Sequence, residues 1–204
     1  SLTVKSVITF TAATTTSDIF FNGTTLGAGN LKFGAKSDVY FGSAYDGSSY
    51  TGKLVVGGDS ANNNNVTLTS NVGDNGTFLK SGGSIYISSA GGTINIGGGN
   101  TLKGNIKTAD SLTTTLTINK NQSAIGTITM GNVGTLNLVF AADVTSAAFV
   151  DNSSADWGTG SLVINGAVDD EVSFGTDADG ITADQLAQIT MSGSQALISD
   201  TGKI

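Results

Sequence analysis

The chain has 204 residues, of which 38% are hydrophobic and only 12% charged, with 29 glycines, no proline, cysteine or histidine, and a formal net charge of −7. That length suits one sizeable domain, and with about half the usual share of charged residues, Ser, Thr, Asn and Gly must carry its polarity. The missing Cys and His exclude thiol nucleophiles, His-based acid/base pairs and His- or Cys-ligated metal sites, while nine scattered cations make nucleic acid and anionic membrane poor partners.

The opening segment, residues 1–18, carries an alternating apolar core, Leu2, Val4, Val7, Ile8 and Phe10, followed by a Thr-rich run. Such a strand on a leash can complete the sheet of a neighbouring copy, and these five residues are the assembly candidates. Short strands can be read in this first part of the chain at "VITF", "DIFF", "NLKF", "DVYF" and "KLVV". In "DVYFGSAYDGSSYTG", alternation puts Val39 and Phe41 on one face and Tyr40 on the other. Exposed Tyr40, Tyr45 and Tyr50 would offer rings to a glycan or a partner surface, since tyrosine gives large contact area at small entropic cost.

From residue 76 onward one phrase recurs: a Gly-Thr or Gly-Ser step, then alternating apolar and polar residues. Its copies are "GTFL", "GSIYI", "GTINI", "GTITM", "GTLNLVF" and "GSLVI", with looser versions "TLKGNIKT" and "TTTLTIN" between. Where copies adjoin they are about seven to nine residues apart, the mark of half-buried strands at short spacing. Short rungs with corners such as "NNNN" at residues 62–65 and "GGG" at residues 97–99 predict an all-β parallel β-helix, or solenoid. A β-sandwich or jelly roll of pilus or surface-layer type is the alternative. The expected organisation is a possible donor strand at 1–18, a repeat body at 19–145 and a β-rich cap at 146–204.

In the last region "ITADQLAQI" predicts a short capping helix over about 182–190. Thr182 and Gln185 form a capping box, Ile181 and Leu186 occupy the staple positions, Asp184 lies in the first turn, and Leu186 and Ile189 share one face. Asp169, Asp170 and Glu171 precede a strand, and Asp177 and Asp179 follow it. Folded loops bringing these five carboxylates together would suit calcium, the one cofactor in view, while solvated turns are the simpler account, and "DADG" lacks the downstream Glu of an EF-hand loop. The sequons at Asn22, Asn65, Asn75, Asn121 and Asn152 are what so Asn- and Thr-rich a chain contains by chance.

The segment at residues 146–193, with "AFVDNSSADWGTGSLVI", Trp157 and "VSFGTDADGITADQLAQITMSG", resembles the C-terminal end region of bacterial surface and exported proteins with autotransporter-associated β-strand repeats, many of which carry a Pro-Glu-Pro sorting tail. The resemblance implies an exported, repetitive, β-rich surface or extracellular protein. The chain opens at Ser1, as expected of a removed leader or a trimmed segment, and ends at Ile204 with neither sorting tail nor membrane barrel. It has no apolar run of about 18 residues that would span a bilayer.

The function expected first is a non-enzymatic, self-associating subunit of a surface fibre or matrix, assembled by β-edge contacts with copies of itself. An adhesin or glycan-binding module on a host surface is the alternative. A β-helical polysaccharide-degrading enzyme is the third reading, and the lack of His and the scarcity of cations weigh against it.

Overall fold

The structure, a computed structural model, describes residues 1–10, 17–34, 37–57, 66–88, 92–167 and 169–204. The "NNNN" corner, with its sequon Asn65, and the Thr-rich stretch at 11–16 lie outside the described residues. The chain is 47% strand and 4% helix and winds as a parallel β-solenoid of about 7 turns, which excludes the sandwich. The first coil holds β1 (Leu2–Val4), β2 (Ile8–Phe10) and β3 (Ser17–Phe21). The second holds β4 (Thr24–Gly27), β5 (Leu31–Phe33) and β6 (Ser37–Phe41), and the third β7 (Asp46–Tyr50), β8 (Lys53–Val56) and β9 (Val66–Ser70). Next come β10 (Ser84–Ile87) with β11 (Gly92–Ile96), and β12 (Asn105–Thr108) with β13 (Thr113–Ile118). They are followed by β14 (Gln122–Ile125), β15 (Ile128–Thr129) and β16 (Thr135–Phe140), then β17 (Ala147–Phe149) and β18 (Ser161–Asn165). The last coil has β19 (Val172–Phe174), helix α1 (Ala183–Ala187) and the hairpin β20 (Ile189–Met191) and β21 (Ser194–Gln195).

These strands stack into three walls. The first is β1-β4-β7, resumed by β14-β17-β19; the second is β2-β5-β8-β10-β12-β15; the third runs from β3 through β6, β9, β11, β13, β16, β18 and β20 to β21, unbroken across residue 145. Between the two parts of the first wall, "GTFL" contributes buried Phe78 and Leu79 and a single bridge, Leu79 to Leu102.

Alternation is why the predicted phrases become rungs. In β6, β9 and β16 every second residue is buried, because successive side chains of a strand point to opposite faces. Parallel in-register pairing then places like on like: Ile19, Val39, Leu68, Ile94, Leu116, Leu138, Ile164 and Met191 form one inward ladder. Ile8, Leu31, Leu54, Ile85, Ile106 and Ile128 form another. Outside, Thr67, Thr93 and Thr115 form one row and Thr69, Asn95 and Thr117 a second, mostly β-branched residues that suit a pleated surface.

Leu116 pairs with Leu138 and Ile106 with Ile128, so a turn there takes 22 residues. From Leu138 to Ile164 it takes 26 and from Ile164 to Met191 27; the surplus leaves at corners, as the loop before β18 and as α1. Corner glycines let backbones approach. A Cβ on Gly104 would collide with the Gly83 carbonyl, and one on Gly126 with the Gly104 carbonyl, whereas as glycines their coils bond directly, Gly126 N–H to Gly104 O at 3.0 Å. Asx side chains clasp neighbouring coils: Asp74 accepts Gly99 N–H in the "GGG" corner (2.8 Å), Asp110 accepts Asn132 N–H (2.8 Å) and Asn152 accepts Ile128 N–H (2.7 Å).

The C-terminal end is covered. α1 starts as expected, Thr182 Oγ1 accepting Gln185 N–H (3.2 Å) and Gln185 Oε1 accepting Thr182 N–H (2.7 Å). It stops at Ala187, however, and Ile189, expected on a helix face, opens β20 instead. There it pairs with Leu162 and is fully buried, because another rung of the inward ladder outweighs another half-turn of helix for a β-branched residue. The helix is pinned through Gln185, 5% exposed, whose Nε2 donates to the carbonyls of Asn152 and Ala155 at 2.8 Å each. β21 returns antiparallel to β20 through Ser192 (φ 50°) and Gly193 (φ 83°), the positive pair a tight two-residue hairpin needs. The chain end lies antiparallel to β19, with Phe174 N–H donating to Gly202 O and Ile204 N–H to Val172 O, both 2.9 Å. Among the described residues no helix is long and apolar enough to cross a membrane.

Two stability outcomes follow. Leu116→Ala lowers unfolding free energy in denaturant titration by about 3 kcal/mol, while Thr115→Ala, one residue away and outward, changes it by less than about 0.5 kcal/mol. Gln185→Ala costs about 1–3 kcal/mol by removing a donor from the Asn152 and Ala155 carbonyls and the acceptor of Thr182 N–H.

Candidate functional sites

Asp169 and Asp170 stand in the turn before β19 with Glu171 beside them, and Asp177 and Asp179 follow β19. A three-residue strand at about 3.3 Å per residue keeps the two groups about 10 Å apart, whereas calcium ligands lie at about 2.3–2.6 Å from the ion. Asp170, at φ 69°, donates its N–H to Ile204 O (2.8 Å), so its backbone serves the covered edge. Asp177 caps a single 3-10 turn, its carboxylate accepting Asp179 N–H at 3.1 Å. Among the described residues no three His, Cys, Asp or Glu side chains gather in a way that would hold a metal ion. An open groove of about 850 Å³ lies nearby between the β20–β21 hairpin and the chain end, bordered by Asp169, Asp170, Lys203 and the exposed Leu197.

The tyrosines divide. Tyr40 faces outward from β6 as alternation predicts, half-buried, and stacks on Phe20 of the rung before it, centroids 5.0 Å apart; Phe20 is 71% exposed. Tyr45 and Tyr50, expected as exposed contact rings, are core residues with 2% and 0% exposure. Tyr45 sits edge-on to Phe41 at 4.7 Å, inside the aromatic stack that fills the wide early coils. Tyr50 plugs the corner between the first and second walls, its hydroxyl 2.9 Å from Gly29 O and 3.0 Å from Lys53 O and accepting Leu31 N–H at 3.3 Å. Alternation does not apply at these two positions, because Tyr45 precedes β7 and Tyr50 ends it at a corner. Burial pushes the Tyr45 hydroxyl up to about 12, aided by Asp46; Thr25 nearby opposes this, but no partner within hydrogen-bond geometry reaches that hydroxyl. Burial raises Tyr50 as well.

The assembly candidates make up the first coil. Val4 is fully buried, Leu2, Ile8 and Phe10 pack half-buried against the core, and Val7 is 57% exposed. β1 pairs parallel with β4 and β2 with β5, so this segment is a rung of its own fold. Phe10 stacks on Phe33 (5.6 Å) and Phe21 on Phe41 (4.9 Å), and the half-exposed Phe10 and Phe21 end the apolar core on this side.

A further row escapes sequence inspection. The register of the second wall aligns Thr9, Lys32, Val55, Tyr86, Lys107 and Thr129 on its outer face. Each comes from an ordinary alternating phrase, "ITF", "LKF", "KLVV", "SIYI", "NIKT" or "IT", and only the pairing brings them together. Comparison with protein-family models, with curated proteins and with solved structures gives no match.

Melting followed in calcium and then in excess chelator is expected to give one unchanged transition; a rise in the presence of calcium would mean that the acidic turns rearrange around an ion. The tyrosines set an alkaline limit. Unfolded tyrosine titrates near 10, so between pH 10 and 12 the unfolded chain releases protons that folded Tyr45 retains, and stability falls as pH rises. Tyr45→Phe, which removes an unpartnered buried hydroxyl, is expected to leave stability at pH 7 equal or higher and to flatten this alkaline loss in pH-dependent melting.

Proposed function

We propose that the chain is a non-enzymatic structural module of an extracellular or cell-surface bacterial assembly, joining a second copy of itself through the bare strand edges of its first coil. The observation that supports this is the contrast between the two ends. At one end the last parallel rung is covered by antiparallel β21 and by residues 202–204. At the other, β1, β2 and β3 each have a single strand neighbour among the described residues, and the half-exposed Leu2, Ile8, Phe10, Ile19 and Phe21 lie beside those edges. Unpaired N–H and C=O rows backed by apolar side chains are templates for strand addition. The extracellular setting rests on the likeness of residues 146–193 to exported surface proteins.

Association in this reading leaves β1 and β2 in their own sheets. Because the far end is covered, contact through the first coil closes on a pair of copies related by a two-fold axis, which would be the unit of any larger fibre or matrix. Catalysis plays no part in it.

Sedimentation of the chain over a concentration series is expected to show a reversible pair. Thr3→Lys with Thr9→Lys, two exposed positions beside the bare edges, should return it to single copies without lowering the melting temperature, since edge lysines oppose strand addition. Single copies at every concentration, or a pair indifferent to the two lysines, would overturn the reading.

A further inference from the structure

The lysines that look scattered along the chain are sorted by wall. The six strands of the second wall contain Lys32, Lys53 and Lys107 and no Asp or Glu. Lys80 and Lys103 stand at the corners that lead into β10 and β12. Carboxylates instead occupy strands of the other walls, Asp46 in β7, Asp18 in β3 and Asp38 in β6. A chain of net charge −7 therefore presents one outer face whose strands carry positive charge only.

That face is not flat. A groove of about 380 Å³ is lined by Val7, Asn30, Lys32, Lys53, Val55, Tyr86 and Ser88. Tyr86 is half-buried and points outward one rung from Val55, with Lys107 one rung beyond it and Lys32 two rungs behind. Lys53 stands two residues aside on the same face, in the row of Ser84 and Asn105. Asn30 Oδ1 accepts Lys53 N–H at 3.4 Å, which leaves the Asn30 amide hydrogens as donors. Ser88 directs its hydroxyl hydrogen towards the Gly57 and Val56 carbonyls (3.1 and 3.3 Å), which leaves its lone pairs as acceptors. One ring beside an apolar patch, flanked by a neutral donor, a neutral acceptor and cations, matches a sugar ring that has an apolar face, hydroxyls and an acid group.

We infer that the outer face of the second wall binds an acidic polysaccharide of the uronate type, with one sugar ring against Tyr86 and carboxylates on Lys53 and Lys107. Charge density selects this class. Rungs are about 4.8 Å apart and residues about 3.3 Å apart along a strand, so Lys53 and Lys107, two rungs apart and two residues offset, spread their charges over about 12 Å. This suits a polymer with a single negative charge per sugar. Duplex DNA carries one per about 1.7 Å, and the acidic remainder of the molecule repels a polyanion of that density. Lysine, a compact point charge without the planar fork of arginine, fits single carboxylates on a flexible chain. The inference does not rest on pairing through the first coil, although exposed Val7 of that coil borders the same groove.

The test is calorimetric titration of the full chain with a defined oligogalacturonate at low and at physiological salt, beside the same oligosaccharide with its carboxyls methyl-esterified. Binding of the acid form that weakens with salt and is lost on esterification is expected. Lys53→Gln with Lys107→Gln should weaken it about tenfold, on the order of 1.4 kcal/mol, and flatten its salt dependence. Tyr86→Ala should weaken it at both salt concentrations while Tyr86→Phe retains it, and melting should stay unchanged in all of them. Equal binding of the ester, no binding of the acid, or indifference to the lysine pair would overturn the inference. So would equal affinity for a single-stranded oligonucleotide or for anionic phospholipid vesicles, since either would make the face a general anion surface.

Discussion

Everything in this molecule depends on parallel pairing in register between coils a single rung apart. Once Leu116 lies over Ile94 and under Leu138, every neighbour on that wall is committed, because slipping one residue would turn a whole strand inside out. The apolar ladders and the backbone hydrogen bonds therefore reinforce each other, and each coil takes its stability chiefly from the coils above and below it. The same constraint explains where length can vary. Turns of 22, 26 and 27 residues coexist because a wall tolerates no insertion, whereas a corner can extrude a loop or a short helix.

Stacking also creates polar demands that charge cannot meet cheaply. Corner backbones sit where ladder bonds lapse, and neutral side chains satisfy them: Asn121 accepts Thr145 N–H (2.8 Å), and the almost fully buried Gln122 accepts Leu102 N–H (3.0 Å) while donating to the Gly98 carbonyl. Gln185 does the same beneath the cap. Amides bridge coils without the desolvation cost of buried ions. Lys120 pairs with Asp143 at 2.8 Å, but the pair is exposed on both sides and of a kind that adds little. Low charge and abundant Asn, Gln, Ser and Thr are thus consequences of the architecture.

Because so few charges are present, their placement defines the surface. The outer third wall is largely a neutral Thr and Asn array in its middle coils, while the second wall carries lysines around Tyr86. The strands of the first coil have one strand neighbour each among the described residues, and the last coil is closed by antiparallel pairing. Trp157 is buried edge-on against Phe174 at 5.9 Å, and Phe174 stacks on Phe149 at 5.0 Å. In the coil where the second wall has no strand, these rings supply the bulk that a strand would have supplied.

The sequence by itself determined the rung and its faces. "DVYF", "GTINI" and "GTLNLVF" announce β6, β11 and β16 because a period of two is local, and the Thr182 and Gln185 capping box announces the start of α1 because its bonds close within four residues. Which rung meets which could not be read, since corner lengths vary and nothing local records the register. Only the tertiary structure brought Lys32, Tyr86 and Lys107 into one row, sank Tyr45 and Tyr50 into the core where corners interrupt alternation, and drew Ile189 from helix into strand. Each of these is decided by a neighbour twenty or more residues away, across a hydrogen bond or a packed face that the local pattern does not encode.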